Sequence, residues 1–223
     1  MITKRLLDDP YMKRPSYEIF MMLASILAIF NLMIYYLPGL NTESKSIVAS
    51  MSAFLGVIFL IDFLNRFFTA PSKLEYMFHK FGWADFLSAI PFTQLNILRG
   101  FRIFRASSMM SKFGVKNTIY LLRTKIADTA LYGVFFLIIV VIEFGAMAVL
   151  QVESSDPSAI IKTSSDAIWW AFVSITTVGY GDMYPVTNAG RLVGVVVLTV
   201  GVGLFGVVTG YLANIFLRPN NDE

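Results

Sequence analysis

Four stretches of the chain stay apolar for long enough to cross a bilayer: Tyr17 to Leu37, Ile47 to Phe68, Ala130 to Gln151 and Leu192 to Leu217. At about 1.5 Å of rise per residue, roughly twenty residues match the hydrocarbon thickness. The first stretch is followed by LPGL rather than a small-residue cleavage site, so it reads as a retained span and not a signal peptide. Lys73 and Lys80 flank the start of the region between the second and third stretches, and Lys112, Lys116, Arg123 and Lys125 flank its end. The excess of Lys and Arg on cytoplasmic segments places both edges inside, so the chain crosses an even number of times between them. Two shorter helices, at about 76–92 and about 96–113, joined after Pro91, meet that requirement.

Six spans put both termini in the cytoplasm. Lys4, Arg5, Lys13, Arg14, Arg66, Lys73, Lys80, Lys112, Lys116, Arg123, Lys125 and Arg218 then lie on inner segments, against Lys45, Lys162 and Arg191 on outer ones. Arg99, Arg102 and Arg105 are left inside the membrane. Composition agrees: 56% of the 223 residues are hydrophobic and 15% are charged, outside the range of a water-soluble globule. The chain has no cysteine and one histidine, which excludes disulfides, thiol catalysis and thiolate metal sites. Its net charge of +3 follows membrane topology, so no nucleic-acid partner is expected.

Between the last two long spans, SSDAIWWAFVSIT reads as a helix of about three turns, too short to cross, followed at once by TVGYGD. A re-entrant helix and loop fits, because both flanks lie outside. Irregular backbone at membrane depth survives only where protein or a water-filled cavity covers it, so this loop is expected to line something. An oxygen cage for a dehydrated cation needs successive carbonyls aimed the same way, whereas those of an ordinary strand alternate. Residues that accept left-handed angles at alternate positions solve this, and Gly179 and Gly181 have that spacing. Thr177 adds a hydroxyl below its carbonyl, and Val178 and Tyr180 are free to turn outward and brace against Trp169 and Trp170. Asp182 would attract cations at the outer mouth.

Thr176 to Asp182, TTVGYGD, is similar to the signature of potassium channels. The resemblance implies a selectivity filter in which the backbone carbonyls of Thr177, Val178, Gly179 and Tyr180 coordinate potassium ions, completed by Gly181 and supported by Trp169, Trp170, Thr176 and Asp182. Four copies are needed to encircle an ion, hence a homotetramer. A hairpin or type II turn would need flanking strands and water, and this loop has spans on both sides. GVGLFG matches the dinucleotide fingerprint through Gly201, Gly203 and Gly206, but lies mid-span instead of between a strand and a helix. In a pore-lining helix glycines serve close packing, as GxxxG spacing at Gly206 and Gly210 allows, or a bend. Gly201 is similar in position to the hinge glycine of potassium channels. Val208, Thr209 and Gly210 stand where many animal voltage-gated channels carry a Pro-Val-Pro gate.

ILRGFRIFRASS sets Arg99, Arg102 and Arg105 three residues apart, so their charges wind slowly around an α-helix or run straight along a 3₁₀-helix. Snorkelling to an interface or binding lipid phosphate is the plainer use of intramembrane arginines. Three in register beside the acids Asp62 and Asp85 resemble a voltage-sensor domain. Phe59 then matches the aromatic plug, and Arg66 with Asp85 an inner pair. Thr93 and Asn96 stand where the family carries its first two arginines, and Ser52 replaces the outer acid of the second helix. This abbreviated sensor resembles that of prokaryotic voltage-gated channels of the Listeria type.

MSKFGVKNTIYLLRTKIADTALYG alternates basic and apolar residues at helical spacing and reads as an amphipathic helix on the inner membrane surface, coupling sensor to gate. For Glu143, inside the fifth span, a neutral hydrogen-bonded packing role is expected. The expected organisation is a cytoplasmic N-terminus (1–16), a four-helix sensor (17–113), a linker helix (114–129), a pore domain (130–217) and a cytoplasmic C-terminus (218–223). The fold class is an all-α membrane protein with six transmembrane helices, a re-entrant pore helix and a filter loop, tetrameric around a central pore. The resemblance implies passive, voltage-gated potassium conduction across the cell membrane, with membrane lipid around the tetramer, no cofactor and no enzymatic activity. The same pore open at all voltages is the near alternative. A secondary transporter would need interrupted helices in both halves, and a voltage-sensing enzyme a soluble catalytic domain after the sensor. The ending RPNNDE carries no expectation of a nucleotide- or calcium-sensing tail.

Overall fold

The structure is a computed structural model that describes residues 15–79, 82–89 and 126–217, and these are helical wherever they are regular. The helices are α1 (Pro15–Tyr35), α2 (Thr42–Thr69), α3 (Lys73–His79), α4 (Gly82–Ala89), α5 (Ile126–Glu153), α6 (Ser164–Ile175) and α7 (Asn188–Leu217). Four of them, α1, α2, α5 and α7, are long and apolar enough to span a membrane. They coincide with the four stretches read from hydropathy. All four begin before the apolar runs, while α1 stops at Tyr35, two residues short of Leu37; capping chemistry sets the starts of α2 and α7. Asn41 accepts the Ser44 N–H at 2.7 Å and starts α2 five residues before Ile47. Thr187 accepts the Gly190 N–H at 2.9 Å and starts α7 before Leu192.

Over the expected third span, residues 73–79 and 82–89 form α3 and α4. The expected fourth span, with Arg99, Arg102 and Arg105, lies outside the described residues, as does most of the linker at 114–129. The last four linker residues already belong to α5, which begins at Ile126 rather than at the boundary expected at 130.

The chain divides into two compact units, one of residues 1–40 and 48–129, the other of 41–47 and 130–223. In the first, Met21, Ala24, Ala28, Leu55 and Phe59 form an apolar core. In the second, α6 packs on α7 through Gly201, where an added Cβ would stand 2.9 Å from the Ile175 Cα. Gly145 of α5 is likewise closed by Val197 of α7, 2.9 Å from where a Cβ would sit.

Candidate functional site

Helix α6 carries the loop of interest and is stopped at both ends by its own side chains. At its start Thr163 is an extended N-cap in a capping box: the Thr163 hydroxyl accepts the Asp166 N–H, and Asp166 accepts the Thr163 N–H at 2.9 Å. Burial alone would raise the Asp166 carboxyl, but hydrogen bonds from Thr163 and Lys162 outweigh it and hold the group below its ordinary range. At its end the Thr176 hydroxyl donates back to the Phe172 carbonyl at 2.9 Å. Twelve residues rise about 18 Å, well short of a bilayer.

Beyond α6 the backbone alternates. Thr177, Gly179 and Gly181 have φ of 61°, 54° and 78°, all left-handed, at every second position. Glycine takes such angles freely, whereas a β-branched threonine there stores roughly 1–3 kcal/mol of strain. An added Cβ at Gly179 or Gly181 would meet nothing within 4 Å, so the demand for glycine is angular and not spatial. The Thr177 N–H donates to the Ser174 carbonyl, and the Val178 and Gly179 N–H groups share the Val173 carbonyl at 3.1 Å. The donors of Thr177, Val178 and Gly179 are thus folded back onto α6. Its carbonyls from Thr177 to Gly181 receive no protein hydrogen bond among the described residues.

Side chains hold this backbone from one flank. The Tyr180 ring stacks on Trp169 with centroids 5.7 Å apart and planes within 6°. The Trp169 Nε1–H donates to Asp182 Oδ2 at 2.8 Å, and the Met183 N–H donates to Asp182 Oδ1 at 3.0 Å. Both oxygens of Asp182 therefore already serve as braces. Trp170 is not in that stack; it is buried and lines, with Val173, Gly179, Gly181 and Gly194, a cavity of about 330 Å³. Val178 is 54% exposed within this chain.

Glu153, the last residue of α5, was not singled out from sequence and is fully buried. Its carboxylate accepts the Val186 and Thr187 N–H groups and the Thr187 hydroxyl, at 2.9, 3.0 and 2.6 Å. It thereby ties the chain leaving the loop to the start of α7, where the partial positive charge of a helix N-terminus favours an anion. Gly190 is required there, since a Cβ would collide with the Glu153 carboxylate. An acid terminating an apolar span beside a helix start was the available signal.

Along α7 the described helix runs unbroken through Gly201, Gly203, Gly206 and Gly210. Gly201 is buried against α6, so close packing accounts for it. Gly203, Gly206 and Gly210 face open space within this chain, and the dinucleotide turn geometry is not met. Val208 is half-buried, and the Thr209 hydroxyl bonds back to the Phe205 and Gly206 carbonyls at 3.1 and 3.0 Å.

In the first unit, Phe59, Asp62 and Arg66 fall on one face of α2 at helical spacing, and all are buried. The close contacts of Arg66 are to Asp62 and Glu18, and Asp85, the partner expected, acts on it through its charge. The Arg66 Nε donates to both Asp62 oxygens at 3.0 Å, and its guanidinium meets Glu18 of α1 at 2.8 Å. The Tyr17 hydroxyl adds a 2.8 Å bond to Asp62. Asp85 of α4 instead accepts the Tyr76 hydroxyl at 2.9 Å. Glu18 was also missed from sequence, although an acid inside an apolar span needs a partner. Asn31, fully buried in α1, has no hydrogen-bond partner for either amide atom among the described residues. Glu143 is fully buried in α5.

Four helices long and apolar enough to cross a bilayer, with the short α6 and its loop between two of them, fit a multi-span membrane protein. The chain belongs to the ion transport protein family, whose sequence model matches residues 14–222. It is 32% identical over 216 residues, 83% of this chain and 43% of the relative, to the Shaker-related potassium channel tsha2 of Oncorhynchus mykiss. A voltage-gated potassium channel of Aeropyrum pernix is 38% identical over 97 residues, 42% of this chain and 33% of that protein. The human voltage-gated potassium channel regulatory subunit KCNF1 is 27% identical over 188 residues, 74% of this chain and 37% of that protein. The chain thus spans 33 to 43% of the length of these curated relatives.

Proposed function

We propose that the chain is one subunit of a homotetrameric, voltage-gated, potassium-selective channel of prokaryotic type, with six spans, in the cell membrane and with both termini cytoplasmic. One observation carries the reading: left-handed φ at every second residue from Thr177 to Gly181, with the Thr177, Val178 and Gly179 N–H groups folded onto α6 and the loop carbonyls left without protein donors among the described residues. Such oxygens replace the water of a dehydrated cation. On this reading α6 is a pore helix, the carbonyls of Thr177, Val178, Gly179 and Tyr180 hold the permeant ion, and no cofactor or enzymatic step takes part. Four loops around an axis complete the cage. The exposed Val178 and Tyr180 and the open glycines of α7 are surfaces that neighbouring subunits would cover. Potassium is inferred from the relatives, which are named as potassium channels.

Arg99, Arg102 and Arg105 are read as the gating charges, Asp62 and Asp85 as their partners and Phe59 as the plug. Each charge that crosses the full field contributes about 2.3 kcal/mol per 100 mV. The gate is assigned to the inner half of α7, at Gly201, Val208, Thr209 and Gly210. A weakly voltage-dependent version of the same pore is favoured by one observation: Ser52, where the family has an outer acid, is buried and uncharged.

Reconstitution in a planar bilayer with potassium on one side and sodium on the other tests the pore. A reversal potential far from zero is expected, and one near zero would sink the filter assignment. Voltage steps test the sensor: Arg102→Gln should flatten the charge–voltage relation, and an unchanged slope would remove that residue from the sensor.

A further inference from the structure

Glu43 lies in the first turn of α2, yet its carboxylate belongs with α6. Its Oε2 accepts the Ser164 N–H at 2.7 Å, across 121 positions of sequence. The capping box of α6 uses the Thr163 and Asp166 groups on each other and leaves the Ser164 N–H to be satisfied from elsewhere. Residues 41–47 fall in the same compact unit as 130–223, with Ser44 and Ile47 buried there. The anion also lies at the positive end of the α6 dipole. At the other end of α6, the Thr177, Val178 and Gly179 N–H groups hang on its last-turn carbonyls. Any displacement of α6 is therefore passed directly to the loop.

We propose that Glu43 is a positioning residue for the ion-coordinating loop: it clamps α6 from the N-terminal end, opposite the Trp169–Asp182 brace. The inference rests on the pore reading above. It makes the outer end of the second span part of the conducting unit, so the durability of the filter depends on a side chain far from it in sequence.

The donor can be deleted without breaking the helix. Ser164 is the first helical residue, where proline is well tolerated, and Thr163 before it has φ −115° and ψ 162°, the conformation a residue before proline adopts. Ser164→Pro and Glu43→Ala therefore remove the two halves of one bond. In reconstituted tetramers held open at low external potassium, each variant should speed the decay of potassium current by about three- to tenfold. Raised external potassium should slow it again, and the double variant should decay no faster than the faster single one. Glu43→Gln, which keeps an acceptor, should fall between. Unchanged decay in both single variants, or multiplying effects in the double, overturns the proposal. Amide exchange gives a reading that needs no current: Glu43→Ala should lower Ser164 protection about tenfold, and unchanged protection also overturns it. Should the unaltered protein prove unselective for potassium, the pore reading falls and the exchange result still decides the clamp.

Discussion

The loop after α6 and the buried charges around Arg66 handle positive charge by opposite means. On the proposed reading the working groups of the loop are backbone, braced by the side chains of Trp169, Tyr180 and Asp182. Around Arg66 the working groups are side chains, with Glu18, Tyr17 and Asp62 converging from two helices. A backbone array offers neutral oxygens that a passing ion enters and leaves. A buried carboxylate pair offers full charges that hold what they bind, because desolvated ions are very costly to separate.

That contrast predicts how each region breaks. Gly179→Ala is the largest expected effect: a methyl group at φ 54° opposes the backbone, and selective current should vanish although nothing lies within 4 Å of the new atom. Retained selective current in a bilayer would place the function outside the backbone. Asp62→Asn comes next, since among the described residues it leaves Arg66 only the close ion pair with Glu18. Breaking a buried pair costs about 3–5 kcal/mol, measurable as a lower midpoint of denaturation; a loss under about 1 kcal/mol would mean the cluster is well hydrated.

Gly201→Ala should cost about 1–3 kcal/mol by overpacking, because the new Cβ meets backbone at Ile175 and not a side chain free to move. Normal stability with altered gating would mark a bend instead. The smallest effect is pH dependence at Asp166. Its carboxyl is held low in the folded chain, so its contribution is full above the ordinary value of 3.8 and lost as pH falls below that. Asp166→Asn should remove that acid-side loss from the unfolding profile, and an unaltered profile would assign it to other carboxylates.

The same contrast explains what could be read from sequence. Hydropathy located α1, α2, α5 and α7 because span length is a property of a contiguous segment. It located α6 for the same reason, and alternate glycines announced the loop because left-handed angles leave a mark on residue type. Thr177 carries the same angle without that mark, so its φ came only from coordinates. Glu18, Glu153 and Glu43 find partners 48, 33 and 121 positions away, and no local pattern encodes such distances. Asp62 stands four residues before Arg66 on the same helix, so local spacing already offered that bond, whereas Asp85 lies close enough only to act through its charge.

The Glu43 bond also sets an order in time. Its acceptor is synthesised 121 residues before its donor. At roughly 5–20 residues per second, the carboxylate waits about 6–24 s for the amide to be made. Through most of that interval the start of α2 has its own turn, where Asn41 receives the Ser44 and Lys45 N–H groups, and near its end Gln151 arrives to accept the Asn41 amide. The start of α2 is thus among the first parts of its unit to be made and among the last to be locked.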